Sequence, residues 1–238
     1  MKIGAVYSHL NGLEWMQVRR PGMWEEIEQI VSAIDAEAGR TKVSKEKTMA
    51  GKLLYSPPAL NTAFKMEFEK REWREAKQSY YSTDDPELIR RTLGLSPKDQ
   101  QALLKAEGKV PIGSKTQTDF VRERVAIEVQ FGKYTFIPYD LFLKHMAFFV
   151  ANEIDLGVEL VPMKVMQAEM SSGPGYYENA LHQIVRQGRG VPAVPLVLVG
   201  VQPDAPPNLE DLPEGALLED EEEADAEGDE QVDSGSEA

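Results

Sequence analysis

Apolar residues recur at three- and four-residue spacing in Trp24, Ile27, Ile30, Val31 and Ile34, behind Pro21-Gly22. That spacing predicts an amphipathic helix from about Met23 to Ala36. Pro57 and Pro58 open a second predicted helix, with Leu60, Phe64, Met66 and Phe68 as its apolar positions. Between them, the Lys-rich stretch from Gly39 to Lys52 shows neither period and reads as a mobile loop. Asp84-Asp85-Pro86 and Ser96-Pro97 are helix-start signals, for short helices ending near Leu93 and Ala106. Their polar faces mark them as a helical insertion. After Gly113 the period changes to two: TDFVRERVAIEVQFGKYTF alternates β-branched and aromatic residues around a charged Arg-Glu-Arg, as an antiparallel strand pair does. YDLFLKHMAFFVA, from about Tyr139 to Ala151, is apolar on most faces and predicts a buried helix. A strand near Leu156–Val161, a glycine-rich loop, a helix near Tyr176–Gln187 and a strand near Val194–Val201 complete the body. Strands and helices in this order predict an α/β fold, a mixed sheet flanked by helices.

Charge redraws the outline. The chain of 238 residues carries 26 Lys+Arg and 40 Asp+Glu, a formal net charge of −14. Such a balance argues against a polyanionic partner. Yet Asp204–Ala238 holds 15 acidic residues and no basic ones, so residues 1–203 keep 25 acids against 26 bases, a net +1. The chain therefore divides into a near-neutral domain at 1–203 and an acidic, prolyl-hinged extension at 204–238, expected to be disordered. The absence of cysteine excludes thiolate metal sites, a Cys nucleophile and a disulfide scaffold. No signal-peptide core and no 18-residue apolar run is present, so a cytoplasmic protein without membrane association is expected.

The residues with most chemistry lie at 119–134. In VAIEVQF, Ile127, Val129 and Phe131 alternate with Glu128 and Gln130, and a hairpin would carry Asp119 beside Glu128. Two carboxylates so placed form a hard-oxygen site suited to Mg²⁺, with the backbone carbonyl of Val129 as a further ligand. A cation there could polarise a phosphodiester and activate water. A half-exposed strand with polar residues outward has the same pattern, so spacing alone leaves both readings open.

TDFVRERVAIEVQFGKY resembles the active-site hairpin of the BglII/BstYI family of type II restriction endonucleases: an Asp, eight residues, a Glu, one residue, a Gln. YSHLNGLEWMQV, GMWEEIEQIVSAIDAEA, TKVSKEKTMAGKLLYSPPALN, DLFLKHMAFFV, EMSSG…YYE and VRQGRGVPAVPLVLVG resemble the same family in order and spacing. The resemblance spans residues 1–203 and implies a restriction-endonuclease-like core. It also implies that Asp119 and Glu128 bind metal, with Gln130 where the wider superfamily has lysine; an amide orients water by hydrogen bonds but brings no charge. The superfamily's Pro-Asp is Thr118-Asp119 here. Glu75, in KREWREAK, resembles a helix residue that approaches the metal or the nucleophilic water. For DNA recognition the resemblance points to Lys133 after the catalytic strand and to Ser171 and Ser172 in SSGPGYYE, with Arg186 and Arg189 next.

The function implied is Mg²⁺-dependent hydrolysis of double-stranded DNA by a homodimer, at a six-base palindrome centred on GATC. A cognate DNA methyltransferase in the same cell would protect the host. A repair or mobile-element nuclease, or a DNA-binding regulator with a decayed site, are the alternatives. The acidic extension either solvates the enzyme or competes with DNA for a basic cleft.

Overall fold

The computed structural model describes residues 1–44, 50–133, 135–170, 173–212 and 217. Most of the acidic extension lies outside the described residues. Strand β1 (Lys2–His9) is followed by helices α1 (Gly12–Arg19) and α2 (Met23–Ala33), then strands β2 (Arg40–Val43) and β3 (Leu53–Tyr55) and helix α3 (Pro57–Lys70). Strand β4 (Arg74–Ser82) leads to α4 (Pro86–Thr92) and α5 (Pro97–Ala106), and then to β5 (Ile112–Arg122) and β6 (Val125–Val129). A helical stretch follows: α6 (Phe136–Tyr139), a π-helical turn (Asp140–Lys144) and α7 (His145–Val150). Strand β7 (Leu156–Pro162), α8 (Lys164–Gln167), α9 (Tyr177–Gln187) and β8 (Leu196–Gln202) close the domain.

Six strands form one mixed sheet in the order β1-β8-β7-β6-β5-β4. Its centre is parallel, β6 beside β7 beside β8, and its flanks are antiparallel. Alternation along each strand sorts the side chains to two faces. Ile127, Leu156, Val158, Leu160, Val197 and Val199 point to one face, where Ile27, Ile30 and Val31 of α2 and Phe64 and Phe68 of α3 cover them. An aromatic stack joins α3 to the hairpin: Phe68 lies 4.4 Å, centroid to centroid, from Phe120, and Phe64 lies 5.6 Å from Phe131. The other face carries Leu196, Leu198 and Val161, packed by Ile137, Leu141, Tyr177 and Ile184. Ala126 there meets Phe148 and Ile154.

Several sequence expectations need correction. The stretch read as a loop from Gly39 to Lys52 begins with β2, which pairs antiparallel with β3; apolar period fails there because β2 is mostly exposed and has no buried face to encode. Met66 is an exposed residue of α3, whereas Leu60, Phe64 and Phe68 are buried. The 139–151 helix starts earlier, at Phe136, and is not buried all round: Phe136, Tyr139, Leu143 and Val150 are exposed. Helices α4 and α5 do form an insertion, set between β4 and β5 and capped by the side chains of Asp85 and Ser96. No helix among the described residues is long and apolar enough to cross a membrane.

Candidate active site

The site begins with a turn. Glu123 and Arg124 join β5 to β6 with φ of 48° and 67°, the left-handed pair that a two-residue type I′ hairpin needs and that Asn-Gly normally supplies. Arg124 is held there by hydrogen bonds to both carboxylate oxygens of Asp155, at 2.8 and 3.0 Å, and to the Asn152 carbonyl at 2.6 Å. From this turn the strands pair through Arg122↔Val125, Val121↔Ala126 and Phe120↔Ile127. The next opposed residues in that register are Asp119 and Glu128, on the face turned toward α6–α7. Ladder pairing stops there, and the Val129 amide donates instead to Asp119 Oδ2 at 3.2 Å. In an extended strand a residue's N–H and C=O share one edge, so the Val129 carbonyl faces the same opening.

The row continues across the sheet. In the parallel register Glu128 lies beside Glu159 of β7, which aligns Asp119, Glu128 and Glu159 on three successive strands. Glu128 is 2% exposed and Glu159 not at all. Over them lies the helical stretch 136–150, which brings two polar groups inward from its π-turn. Lys144 Nζ contacts Glu128 Oε2 at 2.9 Å and Asp140 Oδ1 at 2.6 Å. Gln130 Nε2 donates to Asp140 Oδ2 at 2.9 Å while its Oε1 accepts from the Gly132 amide at 2.9 Å. His145 Nε2 lies 3.2 Å from Glu159 Oε2. The ring fits because residue 157 is glycine: a Cβ there would stand 2.6 Å from His145 Nδ1.

Burial governs the electrostatics. It raises the Glu128 carboxyl to about 8, aided by the negative charge of Asp119 and opposed by Lys144. Burial also raises the carboxyl of Asp140, and that of Glu159 well above its ordinary value. His145 is pushed down to about 3, by burial and then by the Lys144 charge, and stays neutral. Burial alone would lower Lys144, yet Glu128 and Asp140 outweigh it and raise the ammonium. Two oxygens in the row, Glu128 Oε1 and Glu159 Oε1, are buried without a hydrogen-bond partner. Orphaned buried acceptors cost free energy unless a cation or donor meets them.

These donors fit a hard divalent cation. They are two carboxylates at opposed register, one with a vacant buried oxygen, and a backbone carbonyl on the same edge; Mg²⁺ takes few protein ligands and retains waters. Among the described residues no three His, Cys, Asp or Glu side chains cluster as a preformed cage.

The other nominated residues are more scattered. Glu75 is not on a helix: it is the second residue of β4, exposed, with its carboxylate 2.9 Å from Lys77 Nζ and accepting from Gln117 Nε2. Gln117 shares a strand face with Asp119, so Glu75 stands at the rim of the site. Lys133 is exposed and forms an isolated antiparallel bridge with Pro174, which ties the turn after β6 to the glycine-rich loop. Ser171 and Ser172 lie outside the described residues. Arg186 ends α9 and Arg189 follows its Gly188 cap, both exposed.

Sequence reading missed Asp140, Lys144, Glu159 and His145. A signal was present: Asp140 and Lys144 are four apart inside an apolar helical run, and Glu159 interrupts the continuous apolar strand LGVELVP. Charged residues within segments patterned for burial are rare unless paired.

A mixed sheet with paired carboxylates where an antiparallel hairpin meets a parallel core defines a restriction-nuclease-like α/β protein. The chain belongs to the restriction endonuclease BglII/BglIII family, whose model matches residues 5–201. Its fold is similar to the crystal structure of restriction endonuclease BglII complexed with a DNA 16-mer, with a TM-score of 0.59 and 20% identity over 86% of this chain and 79% of that one. It is also similar to free BglII, with a TM-score of 0.53 and 18% identity over 86% and 81% of the two chains. A search of curated proteins finds no match. Family membership makes the protein a DNA-cleaving nuclease of a class that recognises sequence and generally uses divalent metal ions.

Proposed function

We propose that the protein is a type II restriction endonuclease that hydrolyses phosphodiester bonds with Mg²⁺, as a homodimer, at a palindrome centred on GATC. The observation that carries this reading is the opposition of Asp119 and Glu128 across the opened end of the β5–β6 hairpin, in a chain of this family. Asp119, Glu128 and the Val129 carbonyl would hold the cation. When bound, it supplies charge neutralisation at the scissile phosphate and a water of lowered pKa. Glu128 must be ionised to serve, and Lys144 favours that state. Gln130 has one amide hydrogen and one lone pair left after bonding Asp140 and Gly132, enough to orient a water but not to carry charge. Burial under α6–α7 excludes bulk solvent from Glu128 and strengthens each of these interactions.

A two-fold dimer fits a palindromic duplex, with one site for each scissile phosphate. Phe136, Tyr139, Leu143 and Val150 form an exposed apolar stripe at helical spacing beside the site, which supports a shared helical face. Lys133, bridged to Pro174, is the proposed base-reading residue on this edge, and Ser171 and Ser172, which lie outside the described residues, are proposed for the same role. Arg186 and Arg189 serve the flanking backbone or bases, and Glu75 the rim. A cognate methyltransferase would protect the same site. One digest tests the reading: a fully sequenced, unmethylated plasmid treated with Mg²⁺ should yield discrete fragments whose ends map to GATC-centred palindromes. Wild-type protein that binds DNA without cutting under those conditions would make it a binding protein instead.

A further inference from the structure

The helix above the site brings a charge that the strands lack. Gln130 is neutral, and both ends of its amide are engaged. Lys144, fourteen residues along, reaches the same carboxylates from the π-turn, with its side chain 13% exposed. Its ammonium bridges two acids of different elements: Glu128 on β6 at 2.9 Å, and Asp140 one turn earlier on its own helix at 2.6 Å. Asp140 is itself held by Gln130, so it offers a fixed second seat. Glu128 meanwhile keeps Oε1 buried and partnerless.

We propose that Lys144 is a resident counter-ion of this site, competing with a divalent cation for Glu128 and retaining Asp140 as its partner when it yields. The inference rests on reading Asp119 and Glu128 as the cation site. The contacts support it: one ammonium is shared between the carboxylates of Glu128 and Asp140, and Asp119 lies opposite Glu128 with only the Val129 amide on its Oδ2. Without a cation, Lys144 prevents two carboxylates from facing each other uncompensated in a buried space, which is costly. With one, its short bond to Asp140 keeps a positive charge within the site. That is the charge an amide at position 130 cannot bring. Lys144 is thus a positioning residue acting through Glu128 and Asp140.

The test is Ca²⁺ binding to the full-length, DNA-free protein by calorimetry, with melting temperatures in EDTA and in Ca²⁺. Lys144→Gln should bind Ca²⁺ about tenfold more tightly than wild type, because a like charge near the cation and its competitor for Glu128 are both gone. It should melt lower in EDTA, with the deficit shrinking in Ca²⁺. Lys144→Arg should restore wild-type behaviour in both measurements. A purely structural lysine would lower melting without tightening binding, and unchanged or weaker Ca²⁺ affinity in folded Lys144→Gln overturns the proposal. Should that variant fail to fold, Lys144→Gln with Asp140→Asn takes its place. It removes one cationic and one acidic side chain together, an ion pair in the wild type, and with them the competition, so it should still bind more tightly, and wild-type affinity would refute competition. Glu128→Gln separates the two levels of inference. If it leaves Ca²⁺ affinity intact, the cation-site reading falls and this proposal with it; if it weakens binding while Lys144→Gln changes nothing, only the counter-ion idea fails.

Discussion

The two ends of the β5–β6 hairpin use similar groups to opposite purpose. At the turn, Arg124 and Asp155 form a two-point ion pair near solvent, every charge is matched, and the pair serves to fix a backbone conformation that Glu-Arg adopts reluctantly. At the open end, half-buried Asp119 and the buried Glu128 and Glu159 line up with two oxygens of the buried pair unmet. A fold that wanted only stability would place apolar side chains there, as Ala126 and Leu198 do around the row. The contrast teaches that the buried end is held in deficit of positive charge, and such a deficit is what an incoming cation relieves.

The largest test of that contrast is removal of the acids. Asp119→Asn and Glu128→Gln should each lower DNA cleavage by 10³-fold or more, roughly 4 kcal/mol of transition-state stabilisation. Binding to cognate DNA in Ca²⁺ gel shifts should persist; loss of binding together with cutting would mean the row supports the fold instead. Beneath the hairpin, Phe68→Ala removes the ring stacked on Phe120 and should cost about 3–5 kcal/mol in denaturant unfolding. A cost under about 1 kcal/mol would show that the aromatic layer does not support the site.

Acidity provides a finer probe. Glu128 titrates near 8 when folded and near 4.5 when unfolded. The folded state therefore binds more protons between those values, and stability in EDTA should fall as pH rises from about 4.5 to 8, by roughly 1–3 kcal/mol. Glu128→Gln should flatten this slope. His145 works the other way: its folded value of about 3 lies below the ordinary 6.5, so stability from that group is lost as pH falls below 6.5. Melting curves at pH 5, 6.5 and 8, with and without the Glu128 substitution, separate the two. At the exposed end, Arg124→Ala should produce a smaller loss of stability that shrinks with added salt, whereas the Glu128 effect should resist salt because the group is buried. Equal salt sensitivity at both ends would dissolve the comparison. Deleting residues after Gln202 should change least, its expected sign being tighter nonspecific DNA binding at low salt; unchanged affinity would leave the acidic extension a solvating segment only.

Much of this was legible beforehand because periodicity reports burial directly. Helix α2, with one covered face, announced itself by its period, as did the period-two run that became β5 and β6, while α4 and α5 were marked by their start signals. Strands β2 and β4 did not, because they are largely exposed and encode no apolar face. Glu75 was misjudged for the same reason: KREWREAK is rich in helix formers, yet edge pairing with β5 decided its conformation. The hairpin turn lacked a glycine signal and relied on Asp155, thirty-one residues away, to hold Arg124.

The sequence by itself carried the family, through its resemblance, and those elements with a covered face, and it offered a hairpin that could bring Asp119 to Glu128, since such patterns are local, within about ten residues. Only the tertiary structure decided that Glu159 extends the row, that Gln130 is tied to Asp140, and that Lys144 occupies the centre. Those relations depend on a parallel crossover and on the docking of a helix over the sheet, and both bring together residues whose separation along the chain carries no record of their distance in space.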